Sequence, residues 1–283
     1  MQRTVVPAGR CYSEEVTPGV FFEKLYPGGK AGPNAETLYN TPGGQNWTDA
    51  VLLGSDDQPF QLMFPDIRMP ANQYWPLHWH DCYTAVIIVE GMCCIGDWWM
   101  QEGDIFITRT SLEYGPLVVG PQGCRLFEVF SDAALSPGGY SAEYRDHPTL
   151  QGSARPFKER SAENRRNDGR MTLPCDGVEG AWKSRLTPGG TWDLGPAGDP
   201  MRGVLNDTVL IPREVVPAHS YGDWHMLVVM GGSLEFKGRK LVKDDFLRMA
   251  PDAAVADIKA GPDGARLLEA SRTAHGVARR PLL

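Results

Sequence analysis

Short apolar runs, each closed by turn residues, recur along the chain and predict β-strands. The runs at 85–89, 104–108 and 126–130 are rich in β-branched and aromatic residues. Glycine and proline lie between the runs, as in the turn at 120–123. Sustained helical periodicity is absent, so the pattern predicts an all-β fold.

The pattern occurs twice. When the sequence is shifted by 141 residues, apolar runs fall on apolar runs without gaps over about fifty residues. Ten identical pairs share this register: Pro76 and Pro217, His78 and His219, Gly91 and Gly232, Asp104 and Asp245, Gly120 and Gly261, Pro121 and Pro262, Gly123 and Gly264, Arg125 and Arg266, Leu126 and Leu267, and Glu128 and Glu269.

So long a period predicts two whole domains rather than a solenoid. We expect an N-terminal arm at 1–50 and a first barrel at 51–135. A connector at 136–200 and a second barrel at 201–283 follow. The arm is rich in glycine and proline, which favours an irregular segment.

Composition and charge exclude several classes of function. The formal net charge is −7 and no basic stripe is present, so we expect no nucleic-acid partner. The N-terminus lacks the apolar core of a signal peptide, and no apolar run approaches the roughly 20 residues of a membrane span. We therefore expect a cytoplasmic protein without a membrane partner. The six cysteines show no CxxC spacing, which favours buried thiols.

His78 and His80 are the first candidates for chemistry. On a strand, residues i and i+2 point to one face, so both imidazoles should enter the same space. Two imidazoles that converge inside a barrel could begin a metal site. The pair is weak evidence by itself, because neighbouring histidines are common in proteins.

The spacing around this pair resembles the first motif of the cupin superfamily, H-x-H-x(3,4)-E-x(6)-G. His78 and His80 are followed, after three residues, by Thr84, and after six more by Gly91. The resemblance covers about half of the chain and implies a bicupin. It implies two cupin-type double-stranded β-helix (jelly-roll) barrels in tandem.

The second cupin motif, G-x(5)-P-x-G-x(2)-H-x(3)-N, is degenerate here. It would begin at Gly103, with Arg109, Ser111 and Tyr114 at the proline, glycine and histidine positions. Cupin metals are typically held by three histidines and one glutamate, so the resemblance implies a divalent metal ion. We expect iron first, with manganese, nickel and zinc as alternatives.

The ligand set departs from the family. Thr84 stands at the glutamate position, and Tyr114 stands at the last histidine position. A Tyr114 phenolate could bind a hard metal, and its hydroxyl could equally donate a hydrogen bond to substrate or act as the catalytic proton donor. Glu113 and Glu128 are alternative ligands. We expect Glu113 to point to the opposite face, and Glu128 to be structural because it recurs in the second repeat.

The second copy departs differently. His219 keeps the first histidine position, Tyr221 takes the second, and His225 takes the glutamate position. Val255 removes the last ligand. His219, Tyr221 and His225 could still form a second metal site, and the alternative is a barrel kept for stability.

Aromatic residues near the first motif could fill the core or form an apolar wall for a small organic ligand. They are Trp75, Trp79, Tyr83, Trp98 and Trp99, together with Met100. We expect Cys82, beside the motif, to be an inert buried thiol.

Two functions remain open. The first is a metal-dependent enzyme acting on a small-molecule substrate, by O₂-dependent oxidation of the cupin dioxygenase kind or by redox-neutral isomerase, lyase or hydrolase chemistry. The second is a non-catalytic cupin that binds or senses a small molecule. A homodimer is an additional open expectation. Fold alone does not decide between these functions.

Overall fold

The computed structural model describes residues 12–24, 40–41, 44–45, 47–55, 58–75, 78–96, 98–112, 114–136, 139–140, 181–272 and 280–281. Glu113, Cys11, Cys175 and most of the predicted connector lie outside these residues. The connector therefore stays a prediction.

The predicted all-β fold is confirmed. Numbered in chain order, the first thirteen strands are β1 (Tyr12–Thr17), β2 (Val20–Lys24), β3 (Asn40–Thr41), β4 (Gly44–Gln45), β5 (Trp47–Leu53), β6 (Leu62–Met69), β7 (Tyr74–Trp75), β8 (His78–Trp79), β9 (Thr84–Ile95), β10 (Trp98–Gln101), β11 (Asp104–Thr108), β12 (Leu117–Phe130) and β13 (Gly139–Tyr140). The remaining strands are β14 (Ala181–Arg185), β15 (Thr191–Leu194), β16 (Gly203–Leu210), β17 (Val215–Val216), β18 (His219–Ser220), β19 (His225–Phe236), β20 (Arg239–Val242), β21 (Asp245–Met249), β22 (Ile258–Ser271) and β23 (Arg280–Pro281).

Helix is scarce in the described residues, where a short 3-10 helix spans Ala133–Leu135. None of the helical segments in the described ranges has the length and apolarity of a membrane span.

Two large antiparallel sheets carry the fold. The eight-stranded sheet has the order β14-β11-β9-β12-β6-β5, with β10 paired to β9 and β7 paired to β12. The nine-stranded sheet has the order β1-β2-β21-β19-β22-β16-β15, with β17 paired to β22 and β20 paired to β19. The pairs β8–β13, β18–β23 and β3–β4 form small separate sheets.

The chain divides into two compact units that are not continuous in sequence. The first unit takes described residues from Pro27–Ala50 and Met63–Arg185. The second takes described residues from Pro7–Tyr26, Val51–Leu62 and Leu186–Leu283. Strands β1 and β2, within the predicted arm, thus belong to the second unit.

The repeat seen in the sequence is also a repeat of structure. A shift of 141 residues carries each strand from β6 to β13 onto the corresponding strand from β16 to β23, with the same ends. The flanking strands correspond as well. Lys24 on β2 lies opposite Asp245 on β21, and Arg185 on β14 lies opposite Asp104 on β11.

The recurrence of Arg125 as Arg266 has a structural reason. Arg125 forms a buried ion pair with Asp66 at 2.8 Å, and Arg266 pairs with Asp207 at 2.6 Å. These pairs join β12 to β6 and β22 to β16. Removing one partner of such a buried pair would leave an uncompensated charge, which is costly.

Gly91 explains why the glycine recurs. Its φ is +73°, and a Cβ added there would lie 2.2 Å from the carbonyl oxygen of Gly123. The equivalent Gly232 has φ +70° and the same 2.2 Å approach to the carbonyl of Gly264. Only glycine fits both conditions, because other residues carry a Cβ and disfavour positive φ.

The apolar core of the first unit lies between β6, β9, β11 and β12. Phe106, Val86 and Leu126 are almost fully buried within it. Residues 104–108 are buried on both faces of β11, which accounts for the continuous apolar run seen in the sequence. The histidine motif lies immediately before β9, at the edge of this core.

Candidate metal centre

His78 and His80 lie in the same buried space, as the i, i+2 spacing predicts. Each side chain is about 5% exposed. Their ring centroids are 5.2 Å apart, and the rings are nearly perpendicular, at 84°. The pair lies on and just after β8, which is too short to fix the side chains by itself.

Backbone contacts from the loop after β11 hold this segment in place. His78 and Tyr114 form an isolated antiparallel bridge, with N–H···O distances of 3.1 and 2.8 Å. The backbone N–H of Ser111 donates to the carbonyl of His80 at 2.7 Å. Ser111 stands at the position where the cupin motif has glycine, and its φ is +56°. Both histidines therefore have fixed backbones.

The tautomer of His80 is set by its second contact. Nδ1 of His80 lies 2.6 Å from the backbone carbonyl oxygen of Ser136. A carbonyl only accepts, so Nδ1 carries the proton, and Nε2 of the neutral ring keeps its lone pair. A hydrogen bond of this kind is the usual support of a metal-binding histidine.

Glu128 supplies a carboxylate to the same space. It lies on β12, opposite Val86 of β9, and its side chain is buried. One ligand atom from each of His78, His80 and Glu128 lies within 4.8 Å of the others. The sequence separates Glu128 from the histidines by almost fifty residues, and the antiparallel register brings them together.

Tyr114 lies beside this carboxylate. Its hydroxyl donates a hydrogen bond to Oε1 of Glu128 at 2.8 Å. Its ring is fully buried and lies 4.4 Å from the ring of His78, measured between centroids. The hydroxyl therefore orients the carboxylate, and it lies at the edge of the His–His–Glu cluster.

The electrostatics favour an ionised carboxylate. Burial by itself would raise the pKa of Glu128. His80, His78 and the Tyr114 hydroxyl face the carboxylate and together outweigh burial, so the pKa of Glu128 is lowered. Nε2 of His80 is 3.5 Å from Oε1 of Glu128, which is too long for a good hydrogen bond. This contact therefore does not occupy the lone pair of Nε2.

The residues fit a metal ion. Nε2 of His80 is buried, and no hydrogen bond from the described residues reaches it. A buried lone pair with two further ligand atoms nearby is what a cation would satisfy. Two imidazoles and one carboxylate suit iron, manganese or zinc.

The predicted residues and the observed cluster overlap in part. The histidines converge as expected. Thr84, at the family's glutamate position, has a hydroxyl that lies 3.5 Å from the carbonyl oxygen of Cys82. The recurrence of Glu128 predicts a structural role, whereas the structure places Glu128 with the two histidines. The recurrence of Glu128 as Glu269 is the feature of the sequence that singles this residue out.

Phenylalanine forms much of the apolar surroundings. The ring of Phe130 lies 4.7 Å from His80, and the ring of Phe106 lies 5.2 Å from Tyr114. Trp98 packs on Phe106 at 5.9 Å, whereas Trp99 is 38% exposed. Of the aromatic residues predicted as a wall, Trp98 thus reaches this cluster through Phe106, and Trp99 faces outward.

Cys82 is buried, and burial raises its thiol pKa to about 12. A thiol of this kind is a poor nucleophile and a poor ligand at neutral pH. Cys93, Cys94 and Cys124 are also buried thiols.

The second barrel brings its candidates together differently. His219 and Tyr221 lie with ring centroids 4.8 Å apart, and Tyr221 stacks on His225 at 3.8 Å and 8°. Nε2 of His225 lies 2.8 Å from Oε2 of Glu269. Within the described part of this unit, no three histidine, cysteine or acidic side chains form a compact ligand group.

Comparison with known proteins defines the fold. No family model matches the sequence, and no curated protein matches it. A candidate dioxygenase from Nostoc punctiforme matches in structure with a TM-score of 0.58 at 11% identity, over 87% of this chain and 81% of that chain. The Bacillus subtilis oxalate decarboxylase, with Mn(II) centres, matches with a TM-score of 0.53 at 14% identity, over 91% and 82%. The Lactobacillus farciminis oxalate decarboxylase, in complex with formate, matches with a TM-score of 0.52 at 15% identity, over 88% and 86%.

These likenesses, at low identity, show the fold. Oxalate decarboxylases are bicupins, and the match extends over most of both chains. The chain therefore has the bicupin fold, with two cupin-type barrels in tandem, as the sequence resemblance implied.

Proposed function

We propose that the chain is a metal-dependent enzyme that acts on a small organic molecule, with one metal centre in the first barrel. The observation that carries the proposal is the buried cluster of His78, His80 and Glu128, whose ligand atoms lie within 4.8 Å of one another. The proton-fixed tautomer of His80 supports it, because that tautomer directs a lone pair into the cluster.

Two histidines and one carboxylate with open positions are typical of non-haem Fe(II) oxygenases. Iron is therefore our first choice, and O₂-dependent oxidation or cleavage our first choice of reaction. The candidate dioxygenase among the structural neighbours agrees with it. Manganese is the alternative, since the Bacillus subtilis neighbour has Mn(II) centres.

Each residue has a distinct part in this proposal. His78, His80 and Glu128 hold the ion, which when bound supplies Lewis acidity and, for iron, redox chemistry. Tyr114 fixes the carboxylate through its 2.8 Å hydrogen bond. The same hydroxyl contacts the carboxylate of the cluster directly, so it is our candidate proton donor to substrate.

The surroundings suit a reaction that must exclude water. Phe106 and Phe130 are buried beside Tyr114 and His80, and neither offers a hydrogen bond to solvent. An apolar wall of this kind strengthens the electrostatic contacts inside the site and prevents side reactions.

The test is a screen of the iron-loaded full chain in an oxygen electrode. The panel contains diketones, hydroxy acids and catechol-like compounds, and oxalate, which the named neighbours suggest. We expect one class to consume O₂, with His78→Ala/His80→Ala inactive. Equal turnover without oxygen would replace oxidation by redox-neutral lyase, isomerase or hydrolase chemistry. Binding without turnover by any metal form would instead favour a sensor.

A further inference from the structure

The two barrels share one backbone frame around their inner sites. The isolated bridge between His78 and Tyr114 recurs between His219 and Val255. The contact from the loop after β21 recurs too, with Asp252 N–H donating to the carbonyl of Tyr221 at 2.7 Å. The inner sites therefore differ in their side chains rather than in the arrangement of these strands.

Three of the candidate ligand positions differ. Tyr221 stands where the first barrel has His80, and His225 stands where it has Thr84. Val255 stands where it has Tyr114. Glu269 is unchanged and corresponds to Glu128. The second barrel therefore has the carboxylate and one histidine of the cluster, and it gains an imidazole from the start of β19.

That added imidazole is bound to the carboxylate. Nε2 of His225 lies 2.8 Å from Oε2 of Glu269, and a carboxylate accepts, so Nε2 carries a proton. His225 is fully buried and Glu269 is 2% exposed. A nitrogen that donates this proton is not a metal ligand.

Tyr221 packs directly against this imidazole. Its ring is fully buried and stacks on the imidazole of His225, with centroids 3.8 Å apart and planes 8° from parallel. In the first barrel the corresponding His80 presents Nε2 to the cluster. The second barrel thus has the phenol ring of Tyr221 where the first barrel has the candidate ligand His80.

From these contacts we infer that His225 takes the place of a metal ion in the second barrel, so that this barrel excludes metal and keeps its buried carboxylate satisfied from within. The inference goes beyond the proposed function, because it concerns the barrel to which that function assigns no chemistry. It also predicts how to open the site: Tyr221→His restores the missing ligand, and His225→Thr releases Glu269.

The decisive experiment transplants the first site into the second barrel. The full chain with His78→Ala and His80→Ala is titrated with Mn²⁺, and bound metal is counted after gel filtration. We expect no stoichiometric Mn²⁺. Adding Tyr221→His and His225→Thr should raise the count to one ion per chain, and adding Glu269→Gln should return it to none.

A second transplant guards against poor packing. Val255→Tyr, added to the same pair of substitutions, restores the histidine, threonine and tyrosine of the first barrel and gives Glu269 a hydroxyl partner. If both transplanted chains melt cooperatively and bind no Mn²⁺, the inference is wrong. It is equally wrong if the His78→Ala/His80→Ala chain binds one Mn²⁺ that Glu269→Gln removes.

A thermal-melting cycle tests the pair without any metal. His225→Thr and Glu269→Gln are made singly and together, and the melting shifts are compared. We expect the double variant to lose less than the sum of the single losses, because each single change strands a buried partner. Additive losses would contradict the pairing. Failure of the proposed function shows differently, since the wild-type chain would then bind no Mn²⁺ while this cycle still decides on His225.

Discussion

The hydroxyl of Tyr114 donates a hydrogen bond of 2.8 Å to Oε1 of Glu128, so the residue at the family's last histidine position contacts the cluster's carboxylate. In the proposed centre, the tyrosine would thereby orient the carboxylate, and Tyr114 as a direct ligand stays a prediction. This contact makes the carboxylate and the hydroxyl separately testable.

Glu128→Gln should remove the metal. The amide keeps the shape of the side chain and loses the charge, so we expect affinity for Fe²⁺ or Mn²⁺ to fall at least about 100-fold, as counted by metal analysis. The matched control is Glu269→Gln, the same substitution at the equivalent position of the second barrel. Glu269→Gln should leave the metal content unchanged. A loss of metal in this variant would show that the centre lies in the second barrel.

Tyr114→Phe should lower turnover or metal affinity by about 10- to 100-fold, the range typical of a residue that supports a ligand. The ring stays, so its packing on His78 and Phe106 is kept, and melting should fall by only a few degrees. Tyr221→Phe is the control and should leave activity unchanged. If Tyr114→Phe retains full activity and metal, the hydroxyl has no part in the site.

His219→Ala should leave activity within a few-fold of wild type, because the second barrel is assigned no metal. His78→Ala is measured beside it and should be inactive. The sequence alone motivates the same expectation, since Val255 removes the last ligand position. Matching losses in the two variants would show that both barrels take part in catalysis.

The structural features at the positions that recur between the two copies could largely be predicted from the sequence. Gly91, His78 and Arg125 recur in one register, and each recurrence marks a feature found in both copies: a close approach, a bridge to the following loop and an ion pair to the neighbouring strand. These features depend on local spacing, so a pattern along the chain carries them.

The carboxylate of the site could not be assigned in this way. Glu128 reaches the histidines through the pairing of β12 with β9, and the same residue recurs as Glu269 with another partner. Identity between the repeats therefore predicts one shared role for Glu128 and Glu269. Their side-chain partners differ, because Glu128 accepts from Tyr114 beside two histidines and Glu269 pairs with His225. Partners of distant strands, such as β2 with β21, are equally invisible to periodicity.

Gly91→Ala should be severely destabilising. Its positive φ costs a Cβ-bearing residue about 1–2 kcal/mol, and the 2.2 Å approach to the Gly123 carbonyl would force a strand to move. We expect a total loss of more than about 3 kcal/mol in the free energy of unfolding, measured by chemical denaturation. Gly231→Ala, where a Cβ meets nothing within 4 Å, should change the free energy of unfolding by less than about 1 kcal/mol.

Cys82 should resist thiol reagents in the folded chain. Because burial raises its pKa to about 12, only on the order of one thiol in ten thousand is ionised at pH 8, and the thiolate is the reactive form. Mass spectrometry after alkylation should find Cys82 unmodified until the protein is unfolded in denaturant. Rapid labelling of the native chain would show that this part of the barrel opens readily.

The place of β1 and β2 has a consequence for the order of synthesis. These strands leave the ribosome early, yet β2 pairs with β21, which is made more than two hundred residues later. The first strands must therefore wait, unpaired with their final neighbour, while the first unit is being made. A nascent chain stopped after Arg185 would carry that unit together with two strands whose sheet does not yet exist, and these strands are where a holding chaperone would be expected to act.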